Sequence, residues 1–303
     1  MKTPHILTIG LVQRSCLSDP HENLRQALTQ TEDAARQGAN IICLPELFRS
    51  EYFCQREDVA MFDLAEPVTG PSTKAFAALA KERQVVIILS IFERRTAGIY
   101  HNTVVVLDID GSIAGIYRKM HIPDDPSYYE KFYFSPGDKG FIAIQTSQGK
   151  IGPLICWDQW YPEAARLTSL QGAEILFYPT AIGWHPAEKV EAGSFQREAW
   201  QTIQRSHAIA NGVFVASVNR VGHETPVDGT GGLEFWGSSF LCDPFGIVLG
   251  EASVNKEEVV LVEIDLRRIE EVRRNWPFLR DRRVDAYADI TKRFIDEDDN
   301  DEC

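Results

Sequence analysis

The sequence predicts an α/β fold built on mixed, sandwiched sheets, and three observations predict it. Short β-branched apolar runs recur along the chain, helix-length segments separate several of them, and two turn dipeptides join others directly. The runs are ILTIGLV at 6–12, IICLP at 41–45, VVIILSIF at 85–92, TVVVLDI at 103–109, ILFYP at 175–179, VFVASV at 213–218 and VVLVEI at 259–264. Each is too short for a helix and apolar at successive positions, which is the pattern of a strand covered on both faces.

Between these runs, segment 19–37 sets Leu24, Ala27, Leu28, Thr31 and Ala35 near one helical face and stops before Gly38, a C-terminal signal. Segment 72–83, opened by Pro71 and Ser72, has the same character, as does 162–171, closed by Gly172. Asp110-Gly111 joins TVVVLDI to SIAGIYR, and Gln148-Gly149 joins FIAIQTS to KIGPLI, both suited to tight turns between antiparallel strands. Mixing βα units with hairpins predicts mixed rather than purely parallel sheets. No linker or repeat divides the chain, so the expectation is one domain over 1–295 followed by an acidic tail at 296–303.

Composition narrows the class. With 44% apolar and 25% charged residues, the 303-residue chain reads as an ordinary globular protein. No run reaches the ~18 apolar residues of a membrane span. The N-terminal MKTPHILTIGLVQRS lacks the apolar length and the cleavage site of a secretory signal, so the expected location is cytoplasmic. Cysteines at 16, 43, 54, 156, 242 and 303 form no C-x-x-C pair, against a disulfide framework or zinc knuckle. The net charge is −13, of which the tail DEDDNDEC supplies six acids, leaving −7 for the rest. An acidic body disfavours nucleic acid and is compatible with a small cationic substrate. The tail reads as a solubilising end, since blocks of like charge resist packing. The seven histidines show no ligand spacing, His207 reads as structural, and GTGG at 229–232 lacks the setting of a phosphate loop.

Three ionisable residues stand just past apolar runs: Glu46 in IICLPELF, Lys119 in GIYRKMHIP and Cys156 in GPLICWDQW. Open α/β folds gather reacting groups in a crevice beyond strand ends. Cysteine is a strong nucleophile only as thiolate and so needs a base or a cation. Glu46 suits the base, given a carboxyl whose proton affinity is raised by an apolar flank. Lys119 suits a fixed positive charge where an oxyanion develops, with the backbone N–H of Trp157 beside it. Taken singly, each also fits a plainer reading: Cys156 as a buried small residue, Glu46 as a helix cap, Lys119 beside Arg118 as solvated surface.

Taken together, LPELF, YRKMHIP and ICWDQWYPEAAR resemble the nitrilase or carbon-nitrogen hydrolase family, whose Glu-Lys-Cys triad occurs in these contexts and in this order. The resemblance runs from about residue 5 to 295. It implies a four-layer αββα sandwich, a homodimer or larger homo-oligomer, and neither metal nor organic cofactor. The stretches at 121–138, 231–240 and 275–287 are further similar to the branch acting on N-carbamoylputrescine in polyamine synthesis. Glu130, in YYEKFYF, matches a second glutamate near the triad, whose implied role is to hold Lys119 and the substrate amide.

If that holds, the partner is a small ureido or amide compound with an ammonium at its far end, and neither nucleic acid nor membrane. A buried ammonium needs an acidic partner, and Asp124, Asp125 and Glu188 are the candidates, Asp125 first. Tyr52, Tyr128, Trp157 and Trp184 are expected to wall the alkyl chain. Within the family an ω-amidase or a β-ureidopropionase-like enzyme would need a different distal pocket. Outside it stand a non-enzymatic module on the same fold and a thiol redox protein. The latter needs a resolving cysteine, and none lies within ten residues of Cys156.

Overall fold

Alternate residues of the first strands enter two different buried clusters, and this division sets the layers. In β1 (Ile6–Gln13), Leu7, Ile9 and Leu11 join one cluster and Val12 the other; in β2 (Ile41–Cys43), Ile41 and Cys43 part from Ile42 in the same way. β3 (Val86–Thr96) and β4 (Ile99–Leu107) repeat the pattern, with Val86, Ile88, Val104 and Val106 opposed to Ile87, Leu89, Val105 and Leu107. Successive side chains of a strand point to opposite faces, so the sheet is covered on both.

What covers it follows from cluster membership. One face packs on α1 (Pro20–Arg36) and α2 (Pro71–Arg83) through Ala27, Ala34, Phe76 and Ala80. The other packs on a second sheet through Ile151, Ile175, Phe177 and Val215. The computed structural model describes residues 5–225, 229 and 232–295, so the acidic tail expected at 296–303 lies outside the described residues.

The first sheet, completed by β5 (Ile113–Arg118), has the order β15-β1-β2-β3-β4-β5, where β15 is Glu258–Asp265. The second contains β6 (Ile144–Thr146), β7 (Gly149–Pro153), β8 (Ile175–Pro179), β10 (Phe214–Val218), β13 (Phe240–Cys242) and β14 (Val248–Glu251), in the order β14-β13-β10-β8-β7-β6. Each sheet has three parallel central strands, β1-β2-β3 and β7-β8-β10, flanked by antiparallel neighbours. Helices α4 (Pro162–Leu170) and α5 (Lys189–Asn211) contribute Ala164, Ala165, Trp200 and Ala208 to the core on the second sheet. The result is the mixed four-layer αββα sandwich that the family resemblance implies. A short α3 (Glu130–Tyr133) lies between β5 and β6, and α6 (Arg267–Asn275) follows β15.

Local chemistry explains most boundaries. The Asp19 carboxylate caps α1 by accepting the His21 N–H at 2.8 Å. β2 stops at Cys43 rather than continuing through Pro45, which has no N–H for a ladder. Both turn dipeptides close hairpins, β4–β5 and β6–β7, with Gly111 and Gly149 at φ +81° and +123°. Gly152 in β7 has a packing reason: a Cβ there would lie 2.5 Å from Thr168 Cγ2 of α4. The 23-residue α5 and a small third sheet of β9 (Gly183–Trp184), β11 (Val221–Glu224) and β12 (Leu233–Trp236) were not expected from the sequence. α5 has a weak apolar face and β9 has only two residues, so neither carries a strong periodic signal. Among the described residues no helix is long and apolar enough to cross a membrane.

Candidate active site

Glu46, Lys119 and Cys156 follow β2, β5 and β7, and the two-sheet packing brings them together. The Lys119 ammonium lies 2.8 Å from Glu46 Oε1 and 2.6 Å from Glu130 Oε2, and all three side chains are buried. Lys119 is therefore not solvated surface. Burial opposes its charge, but the Glu130 and Glu46 carboxylates outweigh burial and hold its pKa well above that of an ordinary lysine. Glu130 is pushed up to about 7, first by burial and also by the neighbouring Glu46, against the pull of Lys119. Its second oxygen accepts the Tyr52 hydroxyl at 2.6 Å.

Cys156 occupies a strained turn. Its φ is +38°, in the left-handed region that a non-glycine residue enters only when its surroundings force it, as at many functional sites. What forces it is Asp158, fully buried two residues on. The Asp158 carboxylate accepts the Ile155 N–H at 2.9 Å, the Tyr117 hydroxyl at 2.8 Å and the His121 backbone N–H at 3.1 Å, and it lies 2.7 Å from His121 Nδ1. The His121 ring is stacked on Tyr161 with 3.7 Å between centroids. Gln159 is fixed as well: Trp200 Nε1 and the Thr180 hydroxyl donate to its Oε1, and His207 Nε2 lies 2.8 Å from its carbonyl. This gives His207 the structural role expected of it. The thiol itself, 3.9 Å from the Ala181 carbonyl, is pushed well above its usual pKa by burial and by Glu46, while Lys119 pulls it down.

The loop that carries Glu46 is held by two buried arginines. Arg220 donates to the Glu46 carbonyl from Nη2 at 3.0 Å and to the Leu47 carbonyl at 2.7 Å, while Nη1 meets Glu224 Oε1 at 2.8 Å. Arg14 Nη1 donates to the Phe48 carbonyl at 2.8 Å. Three consecutive carbonyls are thus gripped by guanidinium groups around Leu47, itself at φ +50°. On the carboxylate side, Asn102 Nδ2 donates to Glu46 Oε1 at 2.7 Å.

A cavity of about 490 Å³ opens onto Cys156 and Glu130. Its walls include Tyr128, Trp157, Trp160, Gln196 and Trp236, and its acids are Asp125, Glu130 and Glu188. The structure thus gathers Asp125, Tyr128, Trp157 and Glu188 around one space. It does not bring Tyr52 or Trp184 to that wall. Tyr52 is buried behind Glu130, to which its hydroxyl is committed. Trp184 turns into the core, where its indole N–H donates to the Gly193 carbonyl at 2.8 Å and its ring packs on Trp236, which lines the cavity instead. Asp124 points elsewhere and sits 3.9 Å from Lys131. Asp125 is also a turn residue, its carbonyl accepting the Tyr128 N–H at 2.8 Å. The Trp160 and Trp236 indole nitrogens and Gln196 Oε1 are buried without a hydrogen-bond partner among the described residues, and all three side chains line the cavity. Asn102, Asp158, Gln159 and Arg220 carry no local signal of a role, because each acts on a partner that is distant in sequence or on backbone. Among the described residues no group of three or more His, Cys, Asp or Glu could hold a metal ion.

Comparison with known proteins shows what the whole chain is similar to. Residues 8–274 match the model of the carbon-nitrogen hydrolase family. The chain is 43% identical to a protein named N-carbamoylputrescine amidase from Oryza sativa subsp. japonica, over 93% of each chain. It is 39% identical to a protein named citrullinase from Francisella tularensis subsp. tularensis, over 95% of this chain and 99% of the relative. The crystal structure of a carbon-nitrogen hydrolase from Helicobacter pylori G27 superposes with a TM-score of 0.93 at 50% identity, covering 96% of this chain and 100% of that one.

Proposed function

The chain belongs to the carbon-nitrogen hydrolase family, and from that premise we propose that it cleaves the terminal ureido group of N-carbamoylputrescine, releasing putrescine, carbon dioxide and ammonia. The observation that carries the substrate assignment is the cavity's charge. Besides Glu130, which is paired with Lys119, its described lining includes the carboxylates of Asp125 and Glu188 and no Lys or Arg. Such a lining suits a ureido compound ending in an ammonium and disfavours one ending in a carboxylate, since an unpaired anion beside acids is penalised. The similarity to the rice amidase supports the same reading.

The chemistry follows from the protonation states. Burial and Glu46 keep the resting thiol of Cys156 protonated, so the thiolate is made during attack by transfer of the proton to Glu46. The sulfur bonds to the ureido carbon, and Lys119 and the Trp157 N–H receive the developing oxyanion. The carbon–nitrogen bond to the terminal NH2 then breaks, and Glu46 returns its proton so that ammonia leaves. The remaining thiocarbamate is attacked by water, which gives a proton to Glu46. Carbamate departs, the thiol is restored, and the carbamate loses carbon dioxide to give the amine. Glu130 holds Lys119 from the side opposite Glu46. No step needs a metal or organic cofactor.

Citrulline is a competing substrate favoured by a specific observation, the 39% identity to a citrullinase. It shares the ureido group and a far-end ammonium but adds an α-carboxylate beside that ammonium. Ammonia release from N-carbamoylputrescine, citrulline and N-carbamoyl-β-alanine at equal concentration ranks the readings. The expected order has N-carbamoylputrescine first, and preference for either carboxylate-bearing compound overturns the substrate assignment. A homo-oligomer is part of the proposal, supported by exposed Trp276, Phe278, Tyr287, Ile290 and Phe294 near the C-terminal end. Light scattering is expected to return at least twice the 34.2 kDa chain mass.

A further inference from the structure

Glu46 presents two unlike oxygens. Oε1 accepts from Asn102 Nδ2 at 2.7 Å and from Lys119 Nζ at 2.8 Å, which occupies both of its lone pairs. Oε2 is buried and has no hydrogen-bond partner among the described residues. Buried carboxylate oxygens are rarely left in that state without a reason.

The amide of Asn102 is itself oriented by a closed chain of bonds. The Leu47 N–H donates to Ser90 Oγ at 3.1 Å, so the Ser90 hydroxyl proton is directed to Asn102 Oδ1, also at 3.1 Å. With Oδ1 committed, only Nδ2 is left to face Glu46. The Asn102 carbonyl also accepts the Lys119 N–H at 2.9 Å, so one residue of β4 fixes the base's carboxylate and the lysine's backbone together. The chain starts at Leu47, the strained residue next to the base, and returns to the base's own side chain.

We infer that Asn102 is a positioning residue that assigns the two oxygens of Glu46 different tasks: Oε1 is the anchor, and Oε2 alone carries the proton. In the first half-reaction the Sγ–H bond breaks and its proton goes to Oε2 as the Sγ–C bond forms. When the C–N bond breaks, the proton leaves Oε2 for that nitrogen, which departs as ammonia. An anchored Oε1 keeps the proton from binding to the oxygen that faces Lys119, from which it could not reach the nitrogen. The inference rests on the proposed roles of Glu46 and Cys156 and not on the identity of the substrate. The charged and titratable groups around Glu46 are Lys119, Glu130, Cys156, Tyr52, Tyr128, Cys54 and Arg220.

The test measures alkylation of Cys156 by iodoacetamide against pH, read by peptide mass mapping, beside the pH profile of kcat/KM with N-carbamoylputrescine. Asn102→Leu keeps the γ-branched shape, at a larger volume, and removes the donor. Without it the charged carboxylate loses a favouring hydrogen bond, so the acid limb of both profiles moves to higher pH by about one unit, and kcat falls about tenfold with KM held. Ser90→Ala, a smaller change that decides the matter should Asn102→Leu not fold, moves the limb in the same direction by less. Limbs that stay at the wild-type pH in the folded variants overturn the inference, whatever happens to Tm. Glu46→Gln separates this from the larger reading: if it leaves the alkylation profile as in wild type, Glu46 is not the base at all. If it changes that profile while the Asn102 and Ser90 variants do not, only the division of labour between the oxygens is wrong.

Discussion

The two ends of the cavity are built on opposite principles. At the reacting end, Glu46, Lys119 and Glu130 are buried and tied to one another at 2.6–2.8 Å, and Cys156 is held in a strained turn by an aspartate with several partners. At the mouth, Asp125 and Glu188 are exposed. Among the described residues the one bond between the mouth side chains is 3.3 Å long, from Gln196 Nε2 to Glu188 Oε2. Fixed dipoles and charges in a dry site stabilise a developing charge without having to reorganise. Exposed carboxylates are screened by solvent and discriminate only modestly. On the proposed function the reacting end is therefore rigid and the recognition of the far group is soft.

Breaking the rigid end should have the largest effect. Cys156→Ala is expected to lower ammonia release by about 10⁴-fold or more, the scale seen when a nucleophile is removed; full activity in that variant ends the assignment. Arg220→Met comes next. It leaves Glu224 buried without its guanidinium and releases the carbonyls of Glu46 and Leu47, so a loss of about 3–5 kcal/mol in urea unfolding is expected. A loss well under 1 kcal/mol would mean that the Glu46 loop is held some other way.

The pH dependence sharpens the contrast. Glu130 sits at about 7 in the folded protein, above the roughly 4.3 of a free glutamate, so the folded state binds its proton more tightly. Its contribution to stability is complete below the unfolded value and is lost as pH rises through about 7, with an upper bound of about 4 kcal/mol. The Tm difference between wild type and Glu130→Gln should therefore shift in favour of the variant between pH 4 and 8; a difference independent of pH removes the argument. Smallest is the mouth. Glu188→Gln should raise KM for N-carbamoylputrescine roughly fivefold, with kcat unchanged, as befits one screened charge contact of about 1 kcal/mol. If kcat falls instead, the mouth is not the soft end.

The sequence carried a good deal of this. Strand runs and capped helices were legible because periodicity and turn chemistry are local, and β8 and α2 appear almost where the pattern puts them. Glu46, Lys119 and Cys156 were legible as ionisable groups past apolar strands. Trp184 and Tyr52 were not: an aromatic side chain fits a pocket wall and a core equally well until its polar atom finds a partner, here the Gly193 carbonyl and the Glu130 carboxylate. β9, of two residues, has no pattern to read.

By itself the sequence determined the layers and singled out the groups proposed to react, since alternation, caps and residue type act within a few positions of one another. The tertiary structure decided which groups hold them. Asn102 lies 56 residues from Glu46, Arg220 lies 174, and Tyr117 lies 41 from Asp158. A buried polar side chain has no preference of its own for any distant partner; its role is set by which donor or acceptor the packed sheets leave within about 3 Å of it.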